Sequence, residues 1–574
     1  MLNTRSSREF WLLAITAMLV IGAGLGLRDP WPSDEPRFAL VAKQMVENGD
    51  WLFPHRGMEL YSDKPPLLMW LQAAFYTILG NWRVAFLLPS LLAALGTLAC
   101  VYDLGRRLWT RRVGLYAAWM LLFALQFTFQ AKKAQIDPLV VFWITLANYG
   151  LLRHLLQGPR WGWWTLGWFA AGLGVISKGV GVIALLMLVP AGIAAARGWP
   201  GVRVHVRDAR FWLGPLALLA AICVWLAPVL AVGLSSSNPE YHAYLDDILF
   251  RQTAKRYAQS WDHPQPPWYH LETMLTMWLP AMLALPWALA PWWRRLRLRH
   301  DPRYLLPLAW WLLVVVFFSI PSGKRDVYIL PALPMFCLAL APLLPGLLRR
   351  RGVRLCVGAF AVLLAALFLV AGLAMLSGTP GFERRLMDGR GIGQEVTRPL
   401  AWVLVAVGTW GVGSLLVWGR RLPERAVCSV LGAFWVMYGL VGYPLLNDSS
   451  SARGLMEAVG RRIGPQAELG LVAWKEQNLL MADRPAATFG FRVPWDEQLR
   501  RGVAWQAQRP AQRWLLVQDP MMLSCIDRQA SEPMGVANRR SWWLVPAGAV
   551  RGGCTMSAGE RLIERKAQAD AENE

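Results

Sequence analysis

A chain of 574 residues that is 55% hydrophobic and only 17% charged, with 33 Trp, is too apolar for an ordinary soluble enzyme. Its formal net charge of +22 would suit a nucleic-acid-binding protein, but the arginines lie in short loops between apolar stretches. That arrangement is the positive-inside pattern of a polytopic membrane protein, so we expect membrane lipids, and no nucleic acid, as partners.

Apolar stretches long enough to cross a hydrocarbon core of roughly 30 Å recur up to about residue 446. The first, Phe10 to Leu27, exceeds the roughly 7–15 apolar residues of a cleaved signal peptide, so we expect it to remain as a span. With the Arg-rich loops cytoplasmic, an odd number of spans places the C-terminal region outside. About thirteen spans are predicted, near residues 10–27, 82–104, 113–130, 138–156, 162–177, 179–196, 212–233, 273–292, 304–320, 328–346, 354–376, 398–418 and 426–445.

Several segments on the outer side are longer or more charged than simple turns. In the first, residues 28–81, helical spacing of apolar residues predicts an amphipathic helix at the membrane interface, through Phe38, Ala39, Val41, Ala42 and Met45. A second short helix is expected after Pro65 and Pro66, since proline is favoured in a first turn. The remaining outer segments are 131–138, 234–272 and 320–331.

The chain divides into a transmembrane domain, residues 1–446, and a small C-terminal α/β domain, residues 447–574, that ends in a disordered tail. Short strands are predicted at 468–474, 486–491, 513–517 and 541–547. Five of the seven cysteines lie in or beside apolar spans. An oxidising compartment would permit a disulfide between Cys525 and Cys554, but the sequence leaves that bond open.

Charges in the outer segments run against the positive-inside rule. Because cations placed there have a cost during insertion, we expect a compensating role, and the phosphate of a lipid at the membrane surface is the obvious ligand. Four acids stand beside these cations: Asp34, Glu35, Asp63 and Asp137. For any one acid, simple pairing with a base stays open, but carboxylates in a cationic site suit group transfer from a lipid phosphate. The cations are Arg37, Lys64, Lys132, Lys133, Arg251, Lys255, Arg256, Lys324 and Arg325.

At these residues the sequence resembles a known family. "DEPRFALVAKQMVENGDWLFP" followed by "YSDKPPLLMW" is similar to the first external loop of the C-type, polyprenyl-phosphate-sugar-dependent glycosyltransferases. These include the protein mannosyltransferases and the bacterial lipid A aminoarabinose transferases. "FFSIPSGKRDVYILPALP" (317–334) and "PPWYHLETMLTMWLPAMLALPWAL" (266–289) resemble the aminoarabinose branch, whereas the C-terminal domain matches only loosely.

The resemblance implies an undecaprenyl-phosphate-linked sugar as donor and a phosphate of lipid A, or a related phosphorylated lipid, as acceptor. It implies Asp34 as the essential loop carboxylate, with Glu35 and Asp137 as further catalytic candidates. The residues expected to bind the donor phosphate are Arg37, Lys64, Arg256, Lys324 and Tyr328.

The resemblance also implies a divalent metal, expected to be zinc, held by the acid of a "[ED]KP" motif and by histidines. Here that acid is Asp63, one methylene shorter than the usual Glu. Four histidines, His55, His242, His263 and His270, lie outside without a tight spacing. The candidate ligands are Asp63, His242 and His263.

The sequence therefore predicts an inverting glycosyltransferase of the bacterial inner membrane that moves 4-amino-4-deoxy-L-arabinose to lipid A on the periplasmic face. With a phosphate acceptor, Asp34 would orient the acceptor or stabilise positive charge on the sugar. With a hydroxyl acceptor it would act as a general base worth roughly 10²–10⁴-fold. Two alternatives stay open: a transferase of the same fold with another sugar or a protein or glycan hydroxyl acceptor, and a lipid-linked glycan transporter, although no internal repeat supports the latter.

Overall fold

The protein is mostly helical, and its computed structural model describes residues 4–249, 264–378 and 392–551 together with Cys554 and Glu560. Helices occupy each predicted span, singly or as a broken pair. In chain order, the α-helices of the membrane part outside residues 28–87 are Thr4–Gly22, Leu88–Leu108, Arg111–Phe123, Leu125–Ala131, Ile136–Leu156, Trp161–Lys178, Leu188–Ala196, Leu213–Ser235, Pro239–Asp246, Tyr269–Met277, Leu285–Arg299, Pro302–Ser319, Leu333–Leu340, Leu344–Leu347, Arg351–Leu376, Gln394–Trp418, Pro423–Met437 and Tyr443–Ser450.

The predicted number of spans is not confirmed. Within the described residues, seven helices are long and apolar enough to cross a membrane, or up to nine if each of two bent pairs is one span. The breaks follow local sequence: the helix axis turns by 100° between Met277 and Ala281, where Pro280 intervenes, and a 3-10 turn, Asp326–Ala332, precedes Leu333–Leu340. The chain is a multi-pass membrane protein, but several of its spans are interrupted.

Glycines set how closely the helix that carries Asp137 and the helix that ends at Lys178 approach one another. A Cβ atom at Gly150 would lie 2.4 Å from the carbonyl oxygen of Trp163 and 2.8 Å from Cα of Gly167. The backbones of Ile136–Leu156 and Trp161–Lys178 therefore touch, as small residues permit in membrane helix pairs. This contact brings the outer ends of the two helices together.

The first outer segment folds as the sequence predicts, with one correction. A helix, Glu35–Asn48, has Pro36 in its first turn and ends at Gly49, whose φ of 75° suits glycine. A second helix, Leu67–Leu79, follows the two prolines. Between them lies a two-stranded antiparallel hairpin of β1 (His55–Arg56) and β2 (Glu59–Leu60). The turn before the next span is the short helix Trp82–Ala85.

The amphipathic helix does not lie freely at the interface. Its predicted apolar face is buried, and Phe38, Val41 and Met45 pack into the core of the membrane part. Its neighbouring residues Ala39 and Leu40 join a second core that belongs mainly to the C-terminal domain. The helix is thus covered on both sides, and it connects the two parts of the molecule.

The C-terminal domain is an α/β unit around one five-stranded sheet. Strands β3 (Glu468–Val472), β4 (Ala486–Thr488), β5 (Arg513–Gln518), β6 (Glu532–Ala537) and β7 (Arg540–Pro546) lie in the order β4-β3-β5-β7-β6. β3 is parallel to β4 and β5, and β7 is antiparallel to β5 and β6. The four predicted strands are confirmed. The fifth, β6, was missed because Pro533 and Gly535 break its pattern at a bulge.

Three helices complete the domain: Arg453–Ile463, Glu476–Leu480 and Trp495–Ala507. A disulfide joins Cys525 to Cys554, with 5.2 Å between their Cα atoms. The sequence left this disulfide open, and the structure contains it. The predicted tail, "ERKAQADAENE" (564–574), lies outside the described residues.

Candidate active site

Asp34 lies where three outer segments meet. It is the residue before the helix Glu35–Asn48, and its carboxylate accepts a hydrogen bond from Gln135 Nε2 at 3.2 Å. The guanidinium groups of Arg325 and Arg37 lie 3.6 Å and 3.8 Å away. The side chain remains 17% exposed, so a substrate can reach it. The fold thus brings together the segments around residues 34, 135 and 325, as predicted.

Glu35, in contrast, has no capacity left for a substrate. It is buried and forms a bidentate ion pair with Arg28, at 2.5 and 2.7 Å. Its two oxygens also accept the backbone N–H groups of Trp31 and Ala134, both at 2.8 Å. All lone-pair directions of the carboxylate are used. The predicted catalytic role of Glu35 is therefore corrected to a positioning role, which fixes the turn before Asp34.

Asp137 forms an ion pair that the sequence did not identify. It lies in the first turn of Ile136–Leu156, 2.5 Å from Nζ of Lys178 at the end of the neighbouring helix. The same ammonium lies 5.3 Å from the centre of the Tyr328 ring. Lys178 thus joins two predicted site residues. The feature of the sequence that could have identified Lys178 is its position as a lone lysine between two short apolar stretches. That position was interpreted as a break between two spans.

The residues expected to bind the donor phosphate differ in their surroundings. Lys64 is partly exposed, and its positive charge is close enough to help lower the pKa of Asp63. Lys324 is buried, and its ammonium donates to the carbonyl oxygens of Gln265 at 3.1 Å and Ser322 at 3.5 Å. These bonds hold two outer loops together. Arg256 lies outside the described residues.

The C-terminal domain contributes a carboxylate to this region. Glu476 is 3% exposed, and its Oε1 lies 3.1 Å from Nε of Arg37 and 3.6 Å from Nη1 of Arg56. Arg37 also approaches Asp34. A single side chain, Arg37, therefore links Glu476 of the C-terminal domain to the candidate catalytic acid. This contact was not predicted, since the two residues are 439 positions apart.

A second contact from the same domain reaches the acid expected to hold metal. Arg492 lies 2.8 Å from Asp63 and 3.5 Å from Asp247, and Arg56 approaches Asp63 to 3.3 Å. Ser62 donates a further hydrogen bond to Asp247. Burial alone would raise the pKa of Asp63, but Arg56 and Arg492 hold that pKa below its usual range. Each oxygen of Asp63 thus has an arginine partner.

The described residues do not fit the expected zinc ion. Asp63 already binds two guanidinium groups, which repel a cation. His242 Nε2 lies 2.9 Å from the carbonyl oxygen of Ser236, and His263 is outside the described residues. Within the described ranges, no group of three His, Cys, Asp or Glu side chains is arranged to hold a metal. The two described members of the predicted ligand set, Asp63 and His242, are each engaged elsewhere.

A buried carboxylate, Asp29, anchors the C-terminal domain beside this site. It accepts two hydrogen bonds from Arg83, at 2.9 and 3.0 Å, and two from Arg453, at 2.6 and 2.7 Å. Asn447 adds a fifth at 2.8 Å. Burial would raise the pKa of Asp29, but Arg453 and Arg83 lower it well below its usual range. This network ties the first outer segment to the last membrane helix and to the domain after it.

Comparison with known proteins agrees with this architecture. A family model described as dolichyl-phosphate-mannose-protein mannosyltransferase matches residues 63–229. Among curated proteins, an undecaprenyl phosphate-alpha-4-amino-4-deoxy-L-arabinose arabinosyl transferase from Pseudomonas aeruginosa (strain UCBPP-PA14) is 30% identical over 493 residues, covering 82% of this chain and 84% of the relative. A protein of the same name from Edwardsiella ictaluri is 27% identical and covers 78% of each chain.

Solved structures share the fold. The apo crystal structure of ArnT from Cupriavidus metallidurans matches with a TM-score of 0.71 at 19% identity, covering 96% of this chain and all of that one. The structure of the same protein bound to undecaprenyl phosphate matches with a TM-score of 0.70 at 18% identity, covering 95% and 99%. Together with the 30% identity of the curated relative, the fold defines a membrane glycosyltransferase. Within that class, the chain belongs to the family of undecaprenyl phosphate-α-4-amino-4-deoxy-L-arabinose arabinosyl transferases.

Proposed function

We propose that this protein transfers 4-amino-4-deoxy-L-arabinose from undecaprenyl phosphate to a phosphate group of lipid A. Membership of the arabinosyl transferase family supports the donor and the reaction. The observation that carries the proposal is the position of Asp34, a partly exposed carboxylate held between Arg37 and Arg325 where the outer segments meet. Such a site combines cations for phosphate groups with one acid for the reacting sugar.

The chemistry of the step follows from its charges. An anionic oxygen of the acceptor phosphate attacks the anomeric carbon and forms a new C–O bond. The bond from that carbon to the undecaprenyl phosphate oxygen breaks, and its electron pair stays on the phosphate. The acceptor monoester becomes a diester while the donor diester becomes a monoester, so one negative charge moves between the lipids and no proton need be removed.

Asp34 then serves the transition state and not proton transfer. A sugar that leaves one phosphate and joins another carries positive charge at its anomeric carbon, and a fixed carboxylate nearby stabilises that charge. Attack from the face opposite the departing phosphate inverts the anomeric centre. Lys64 is the partly exposed cation expected at the leaving phosphate, and Asp137, Lys178 and Tyr328 form the neighbouring wall.

The orientation in the membrane belongs to the proposal as well. The Arg-rich loops lie on the side of the protein opposite Asp34, and the positive-inside rule places that side in the cytoplasm. The Cys525–Cys554 disulfide of the C-terminal domain suits an oxidising compartment. We infer that the active site and the C-terminal domain face the periplasm from the inner membrane. Cysteine-labelling of a residue beside Asp34 in intact and permeabilised cells tests this orientation.

The function is tested by transfer from undecaprenyl phosphate-aminoarabinose to lipid A with the purified full chain in liposomes. Asp34→Asn should lower kcat by about a hundredfold or more, and Lys64→Ala should raise the donor KM. Glu47→Gln is the matched control, because Glu47 is half exposed and pairs only with Lys43 on the same helix in the described structure. Wild-type turnover by Asp34→Asn would overturn the site. Glycosylation of a protein or glycan hydroxyl, or lipid transport without a new glycosidic bond, would overturn the acceptor assignment.

A further inference from the structure

A small polar cavity opens next to Asp34. Its volume is about 220 Å³, and it is formed by the turn before the helix Glu35–Asn48, the loop at residues 132–135 and the last membrane helices. Such a volume suits a headgroup and is too small for a whole lipid. The polar residues of its lining include Arg28, Glu35, Lys132, Lys133, Gln135 and Tyr438.

Two lysines of the lining, Lys132 and Lys133, have no carboxylate in an ion pair with them in the described part of the chain. Arg28 is neutralised by its bidentate pair with Glu35. Lys132 donates to the carbonyl oxygens of Val20, Ile21 and Ala23 at 2.9, 3.2 and 2.8 Å, so its position is fixed by the end of the first helix. These carbonyls are neutral, so they do not compensate the charge of the ammonium, and burial together with Arg28 lowers the pKa of Lys132 to about 7.

Lys133 supplies the second charge. Its ammonium lies 3.8 Å from the centre of the Phe129 ring, and the described residues include no carboxylate in an ion pair with it. Burial lowers the pKa of Lys133, and Arg28 acts in the same direction, while Glu35, Asp326 and Asp34 oppose the shift. An ammonium kept partly buried without a paired acid is poised to gain from an anionic ligand.

The cavity is connected to the candidate catalytic acid. Gln135 lines it and donates to Asp34 at 3.2 Å, and Ser33, the residue before Asp34, also lines it. An anion held in the cavity therefore stands beside the carboxylate that faces the reacting sugar. The described residues expected at the donor phosphate do not line this cavity: Arg37, Lys64, Lys324 and Tyr328 all lie outside its lining.

We propose that this cavity binds the phosphate monoester of the acceptor and that Lys133 is its main ligand, an assignment that rests on the proposed function. A monoester dianion complements the ammonium of Lys133 and the protonated form of Lys132. Transfer converts it to a monoanionic diester, so the product binds less tightly than the substrate and leaves. The amino sugar is a poor occupant, because its own ammonium would meet Lys132 and Lys133.

Two lipids could supply the phosphate monoester: lipid A, the acceptor, and undecaprenyl phosphate, the product that leaves. The experiment must distinguish between them. In the liposome assay, Lys133→Met should raise the KM for lipid A by about tenfold or more. The donor KM and the inhibition constant of undecaprenyl phosphate should stay within twofold of wild type. Lys133→Arg should restore most of the lipid A affinity. Lys43→Met is the control, because Lys43 is a partly exposed lysine of the helix Glu35–Asn48 that pairs with Glu47 and does not line the cavity.

A second readout does not need turnover. N-acetylglucosamine 1-phosphate, a soluble phosphate monoester, should raise the melting temperature of the solubilised wild type and of Lys43→Met but not of Lys133→Met. Such protection in a protein that fails to modify lipid A would keep the cavity assignment and overturn the proposed function. An unchanged lipid A KM in Lys133→Met, or a change confined to undecaprenyl phosphate, would overturn the cavity assignment. So would equal protection of all three proteins by the probe.

Discussion

Glu476 of the C-terminal domain lies 3.1 Å from Arg37, three residues after the candidate catalytic acid Asp34. The same carboxylate approaches Arg56 of the β1–β2 hairpin. A domain that follows the membrane part in sequence thus holds two arginines of the site from outside. Its attachment at Asp29 and its shared core with the helix Glu35–Asn48 make this contact persistent.

We expect Glu476→Gln to lower both stability and turnover. Removing a buried charge leaves Arg37 and Arg56 without their shared partner, which costs roughly 1–3 kcal/mol of stability, and Arg37 is then free to shift away from Asp34. Thermal unfolding and kcat measured on the same preparation test this. Glu497→Gln is the control, because Glu497 pairs with Arg500 and Arg501 on the surface of the same domain. Loss of stability with an unchanged kcat would contradict a link to the site.

Asp29→Asn should destabilise the chain at neutral pH and reduce its sensitivity to acid. Arg453 and Arg83 lower the pKa of Asp29, so the stabilisation is complete above the usual Asp pKa of about 3.9. It is lost as the pH falls toward the lowered value. We expect a loss of roughly 1.5–3 kcal/mol at pH 7, shrinking below about pH 4. Unfolding measured from pH 7 down to pH 3 gives both quantities, and a constant difference would refute this account.

The KM for lipid A should rise with pH, and the rise should begin at a lower pH than the titration of a lysine with an ordinary pKa would produce. A phosphate anion binds the protonated ammonium of Lys133, whose pKa is lowered by burial and by Arg28 against the opposing Glu35, Asp326 and Asp34. As the pH rises through that lowered value, the charge and the affinity are lost. Lys133→Arg should remove the alkaline part of the rise, because arginine stays protonated, whereas Lys132, whose pKa burial and Arg28 lower to about 7, still titrates near neutral pH. An alkaline rise that persists in the arginine variant belongs to another group.

Turnover should survive removal of divalent metal. Asp63 is held by Arg56 and Arg492, so these guanidinium groups supply the positive charge that a metal would otherwise bring. We expect chelated and dialysed enzyme to keep its kcat within about twofold and to contain no stoichiometric zinc by elemental analysis. Inactivation by chelator that added zinc reverses would show that ligands beyond the described residues complete a metal site.

Much of the fold could be read from the residues themselves. Local hydrophobic pattern and turn residues were enough to place the apolar helices of the membrane part, the helix Glu35–Asn48, the helix after Pro65 and Pro66, and four strands of the C-terminal sheet. The span count could not be fixed, because helices broken at Pro280 and before Leu333 do not show whether each piece crosses the membrane.

The sequence by itself determined which charges are out of place in the outer segments, since insertion bias is a property of local composition. Only the tertiary structure decided their partners. Asp137 meets Lys178 across 41 residues, Asp63 meets Arg492 across 429, and Arg37 meets Glu476 across 439. Those meetings depend on how closely glycine-faced helices approach and on which surface the C-terminal domain covers. Glu35 is therefore buried in a positioning role while the side chain of Asp34 stays accessible to substrate, although both are acids and adjacent in the chain.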